Sequence, residues 1–132
     1  MKTSNKGFTL IELLVVIAII GILSTIVLVA VNTARAKGDD AAVKEDLHGI
    51  RSQAEILNDN NGSYSGICGD PGIADALGNA STTSGASPTC NDSANAWAAD
   101  AVLKGAGGFW CVDYTGAAIG EPSDIGTATA CP

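Results

Sequence analysis

KGFTLIELLVVIAIIGIL, residues 6–23, decides how the rest of the chain is read. It opens a run from Phe8 to Val31 in which 24 residues carry a single charge, Glu12. At about 1.5 Å per helical residue this run is about 36 Å long, enough to cross a hydrocarbon layer of about 30 Å. The residues before it, MKTSNKG, are polar and basic. An ordinary secretory signal carries its small-residue cleavage site after the apolar stretch. Here the small residue, Gly7, comes first, so cleavage at Gly7 keeps the apolar helix in the mature chain. Lys2 and Lys6 hold the N-terminus on the cytoplasmic side by the positive-inside rule, which places everything after Val31 outside.

Each residue of the opening has its own chemistry. Gly7 lacks a side chain, so a protease can hold extended backbone there closely. Phe8 would begin the mature chain with a free amine at the membrane face. Glu12 is the anomaly, because a carboxylate inside a spanning helix costs about 2.5–3.5 kcal/mol on insertion scales and calls for a partner. Gly21 reads first as a small residue that permits close helix packing.

Beyond Val31 the composition changes to Gly, Ala, Ser, Thr and Asp, with too few large apolar side chains to bury much surface unaided. All four cysteines, Cys68, Cys90, Cys111 and Cys131, lie in this half. An even count beyond a membrane segment reads as an extracytoplasmic disulfide framework, although four cysteines allow three connectivities. With no C-x-x-C pair and His48 the only histidine, zinc is the weaker reading and no metal or other cofactor is expected. The net charge is −7, and −9 once Lys2 and Lys6 are removed, 14 acidic against five basic residues. Such a surface repels phosphate backbones, so direct nucleic-acid binding is not expected.

From Asn32 the helix continues and becomes amphipathic. Val43, Leu47, Ile50, Ala54 and Leu57 form one apolar stripe, and the NDNNG cluster at 58–62 ends it. ICGDPG (67–72) reads as a turn, IADALGNA (73–80) as one or two helical turns, and STTSGASPTC (81–90) as a loop. AWAADAVL (96–103) and GFWCVDY (108–114) read as two strands around a KGAGG turn, with TGAAIGEPS (115–123) as a third. Trp97, Phe109 and Trp110 are expected in the core of so small a domain. Asp113, Glu121 and Asp124 lack calcium-loop spacing and read as a solvated face. The expected fold is α+β, a long N-terminal helix carrying a small, disulfide-stapled antiparallel β head. Its boundaries are a leader at 1–7, a membrane-spanning and assembly half at 8–31, an amphipathic half at 32–60 and the head at 61–132.

The string from Lys6 to Val16, with the apolar run behind it, resembles the leader and N-terminal methylation motif of type IV pilins and pseudopilins. The resemblance implies a membrane aspartyl peptidase that cuts between Gly7 and Phe8 and methylates the new Phe8 amine. It implies assembly through the helix, with Glu12 pairing with the Phe8 amine of a neighbouring subunit. It also implies a helix that loosens near Gly21, yet the proline often found further along is absent and Val29 stands in its region. GFWCVDYTG (108–116) is similar to the penultimate strand of small pilin heads, and Cys111 with Cys131 to the disulfide-bounded loop of many pilins, which favours pairing Cys68 with Cys90 and Cys111 with Cys131.

By this resemblance the chain is a structural subunit of a pilus serving adhesion, motility or DNA uptake. It would be a single-pass protein of the inner membrane before assembly and part of a surface filament after it. Its partners would be copies of itself, the prepilin peptidase, the assembly machinery and membrane lipid. The alternative in the same class is a pseudopilin of a type II-like secretion system. A third reading is a monomeric, membrane-anchored binding module. An enzyme is not expected, since no Ser/His/Asp or Cys/His arrangement and no phosphate loop is present.

Overall fold

The computed structural model describes residues 7–132, so Lys2 and Lys6 of the expected leader lie outside the described residues. The chain divides between Ala34 and Arg35 into two units. One α-helix, α1 (Leu10–Asn61), contributes its first part to one unit and its second part to the other. It runs unbroken through Gly21 and Val29 and ends two residues past Asp59.

In the first unit α1 buries nothing: its most apolar window has a mean hydropathy of 3.1 and is 0% buried. In the second unit the same helix has a buried face. Val43, Leu47, Ile50 and Ala54 are covered and Leu57 packs beside them, the 4-3-4-3 spacing placing them on one stripe. Asp40, one turn earlier, is also buried, a charge on an otherwise apolar line.

Four antiparallel strands pack on that stripe in the order β1 (Thr89–Asp92), β2 (Trp97–Val102), β3 (Phe109–Asp113), β4 (Ala118–Glu121). Side chains alternate between the two faces. Trp97, Ala99, Ala101 and Val112 join the core that α1 supplies, while Ala98 and Cys111 on the opposite face meet Ile125 and Cys131. β2 is thus covered on both sides and every residue of it but Val102 is buried. That coverage explains how an alanine-rich segment with weak strand propensity holds its place.

A short 3₁₀ turn (Ile67–Gly69) leads to α2 (Pro71–Ser84), which is longer than the one or two turns expected. Asp70 caps it, its carboxylate accepting from the Gly72 and Ile73 amides, and Pro71 begins it. It takes in Ser81–Ser84, read from sequence as loop. The stop is Gly85 in the left-handed region at φ 78°, and Thr82 bonds back to the Gly78 carbonyl inside the helix. β1 begins with Thr89 and Cys90, which the sequence also reads as loop. It is four residues long, half-buried throughout, and shows no alternation. Its position is fixed by a disulfide between Cys68 and Cys90 and by Asp92, which accepts from the Gly66 and Cys68 amides.

The second disulfide joins Cys111 of β3 to Cys131. It closes the terminal segment over the outer face of the sheet. Two buried carboxylates reinforce it: Asp100 accepts from the Ile125 amide at 2.8 Å, and Asp113 from the Cys131 amide at 2.9 Å. Of the three aromatics expected inside, only Trp97 is fully buried. Phe109 and Trp110 are half-buried at the start of β3, with the Lys44 ammonium 4.3 Å from the Trp110 ring centroid.

Candidate assembly site

The residues singled out at the N-terminus fall together at the start of α1. Gly7 and Phe8 precede the helix and are exposed, Phe8 by 88%. A methyl group added at Gly7 would meet nothing within 4 Å, and the same is true at Gly21. Among the described residues nothing requires glycine at either position. Gly21 even costs its helix about 1 kcal/mol relative to alanine. A requirement for glycine there has to come from another molecule.

Thr9 is the N-cap and Glu12 the third helical residue. The Thr9 amide and hydroxyl both donate to Glu12 Oε2 at 2.8 Å, and the Glu12 amide donates to Thr9 Oγ1 at 3.3 Å. This is a capping box, two otherwise orphaned donors satisfied reciprocally at the positive end of the helix dipole. Glu12 therefore has a partner within its own chain. Sequence reasoning treats it only as a charge seeking one, although the T-x-x-E spacing that signals the box is legible. Glu12 Oε1 makes no hydrogen bond among the described residues, so the carboxylate keeps acceptor capacity for a second partner.

Behind the box lies continuous apolar surface. From Leu10 to Val29 the large side chains are about half to four-fifths exposed. The hydroxyls set among them are turned inward: Ser24 donates to the Ile20 carbonyl, Thr25 to Ile22 and Thr33 to Val29. Such a surface is matched to lipid or to other apolar helices, because it offers no unpaired hydroxyl to either. An exposed apolar area this large on one chain marks a surface that is covered in use.

No group of three or more His, Cys, Asp or Glu residues suited to a metal occurs among the described residues. Asp113, Glu121 and Asp124 do not form such a group, nor do they share the solvated face expected from sequence. Asp113 is buried and accepts from Thr115, Ala117 and Cys131, whereas Asp124 is exposed and accepts from the Thr89 hydroxyl and the Gly126 amide. Burial raises the Asp113 carboxyl, but the Thr115 hydroxyl and the Cys131, Thr115 and Ala117 amides outweigh it and hold the group below the usual carboxylate range. Asp100 goes the other way, pushed up chiefly by burial despite its two amide donors.

The family model for the prokaryotic N-terminal methylation motif matches residues 2–28. A fimbrial protein of Neisseria meningitidis serogroup B is 41% identical over 76 residues, 56% of this chain and 44% of that protein. The type IV wide pilus major component PilA4 of Thermus thermophilus is 42% identical over 59 residues, 45% of each. The chain spans less than half the length of these relatives. No solved structure matches it.

Proposed function

We propose, with this type IV pilin-like chain as the premise, that it is a structural subunit of a type IV pilus. The precursor sits in the inner membrane through the apolar part of α1. The prepilin peptidase cuts between Gly7 and Phe8 and methylates the new amine, and the assembly machinery stacks the subunits into a surface filament through the same helix. Phe8 and Glu12 carry the contact: the Phe8 amine of one subunit takes the acceptor capacity that the capping box leaves on Glu12 of its neighbour. Cys68, Cys90, Cys111 and Cys131 brace the head outside the cell.

The observation that carries this reading is the pairing of a methylation-motif N-terminus with a helix whose apolar surface is exposed over its whole first part. The relatives are filament proteins by name, and the disulfide-closed terminal loop favours a pilus over a pseudopilin of a type II-like secretion system. A tethered binding module has no use for the motif, and no catalytic reading finds support among these residues. Partners are other copies, the peptidase, the assembly machinery and lipid. With 14 acidic residues, the subunit is not proposed to bind nucleic acid directly.

The test is intact mass and N-terminal sequence on filaments sheared from cells that express the protein. We expect a chain beginning at Phe8, one methyl group heavier than residues 8–132 and with no free thiol. A subunit beginning at Met1, or cut after the apolar run, removes the reading. Long surface filaments of this subunit decide for the pilus, and their absence with secretion impaired decides for the pseudopilin.

A further inference from the structure

The charges of the second unit are segregated. Arg35, Lys37 and Lys44 fall within ten residues of α1, and Lys104 joins them from the β2–β3 loop, which Asp40 clips to the helix through the Gly105 and Ala106 amides at 3.0 and 2.7 Å. The clip needs glycine, since a methyl group at Gly105 would lie 2.9 Å from Asp40 Oδ2 and 3.0 Å from the Ala36 carbonyl carbon. The two acids of this region are thereby spent. Asp40 serves the loop amides, and Asp39 forms the one ion pair among the described residues, with Lys104 at 3.4 Å. Arg35 and Lys37 stay exposed with no carboxylate partner, and Lys44 rests on Trp110. Lys37 and Lys44 line a pocket of about 290 Å³ with Asp40, Ala41, Gly105 and Ala106, room for a carboxylate side chain rather than a single water, and the Asp40 oxygens there are taken up by the Gly105 and Ala106 amides.

The opposite end of this part of α1 has the complementary fault. Residues 45–132 hold eleven acids against Arg51 and Lys104. The last turn of α1 contains exposed Asp59 and no basic residue, although it is the negative end of the helix dipole. Glu55, one turn before Asp59, adds a like charge. A cation placed there would be stabilised by all three.

We infer that the Lys37–Lys44 pocket of one copy receives the Asp59 end of α1 of a second copy. The inference rests on the filament reading and adds to it a contact between heads, separate from the one at Phe8 and Glu12. Lys37 and Asp59 are 22 residues apart on one helix, about 33 Å along its axis. Lys44 is 15 residues from Asp59, about 22 Å, so two copies that make the contact with their α1 helices parallel are displaced axially by about 22–33 Å. A single exposed pair of this kind is weak, and repetition along a polymer makes it count, with a strength that falls as salt rises.

Zero-length carbodiimide coupling of intact filaments tests it. The reagent activates a carboxylate, and a lysine amine within contact distance displaces the urea to leave an amide. A Lys37–Asp59 or Lys44–Asp59 amide can form only between copies, because the two ends of one helix do not meet. The Lys104–Asp39 amide within one copy is the control. We expect both kinds of linked peptide, with the intermolecular one lost in molar salt, and we expect Lys37→Glu to lower filament yield several-fold and Asp59→Lys to restore it. Filaments that show the control amide without the Lys37 or Lys44 link to Asp59 overturn this contact and leave the filament reading standing. Absence of filaments removes both. If Lys37→Glu instead lowers the precursor's membrane level and no intermolecular link forms, the patch serves anionic lipid and the contact is overturned.

Discussion

At Thr9 and Glu12 one carboxylate holds the helix cap and is proposed to hold a neighbour's amine as well, and single substitutions separate the two. Glu12→Gln keeps an acceptor for the capping box but removes the charge, whereas Thr9→Ala removes half of the box, at a cost of about 0.5–2 kcal/mol, and keeps the charge. If pairing with the neighbouring Phe8 amine drives assembly, Glu12→Gln should abolish filaments at a normal membrane level, and Thr9→Ala should still form them. The reverse order, a filamentous Glu12→Gln beside a defective Thr9→Ala, would reduce Glu12 to a helix cap. Leader cleavage must be followed in parallel, so that a processing defect is not read as a pairing defect. Asp113 makes a second residue-level case. Its folded pKa is depressed, so its stabilisation is complete above the unfolded value of about 3.9 and is lost as pH falls through the folded one. Asp113→Asn turns the acceptor aimed at the Cys131 amide into a donor. Denaturant unfolding of the detergent-solubilised subunit should show a loss of about 1–3 kcal/mol at pH 7 that shrinks toward pH 3. A loss independent of pH would mean that the charge is not what matters there. Asp100, raised by burial, acts in the opposite sense: its contribution is present at acid pH and lost as pH rises through its folded pKa.

Among the elements, the ones with a strong period were legible and the ones held by distant partners were not. The stripe from Val43 to Leu57 announces the buried face of α1, and GFWCVDY and AWAADAVL announce two strands. β1 has no pattern to read, because Cys90 and Asp92 take their bonds from the Ile67–Gly69 turn and the residues before it, 22 to 26 positions earlier in sequence. The end of α2 was misplaced because the Ser/Thr run at 81–84 resembles a loop, while the residue that stops the helix is Gly85. The buried acids were hidden for a related reason. Asp40, Asp100 and Asp113 look like surface residues until the loop that brings each of them its amides is known. The terminal segment depends on several such ties at once: the Cys111–Cys131 disulfide, the Asp100 and Asp113 amide bonds, and Asn91, whose side-chain amide donates to the Gly126 and Ala128 carbonyls. Cys131→Ser should therefore cost about 2–5 kcal/mol of unfolding free energy, and the far-ultraviolet signature of α1 should persist at temperatures where the head still holds. A change below about 1 kcal/mol would show that the polar ties hold the segment without the disulfide.

For the molecule as a whole, the division of labour between an unburied apolar helix and a compact acidic head could be read before any coordinates, because the Phe8–Val31 run and the four late cysteines are both local in sequence. What could not be read is the way the helix manages its own polar atoms. The hydroxyls of Ser24, Thr25 and Thr33 are closed onto carbonyls of the same helix. These hydroxyls give the helix no preference between a bilayer and a bundle of its own kind, since neither offers them a bond that they still lack. Passage from one to the other is then nearly level in that respect, and the direction of traffic is set by whatever does work on the subunit. In a polymer of the proposed kind, dismantling would leave those hydroxyls as satisfied as building did, so that among the polar groups of the apolar helix only Glu12 would have to change partners.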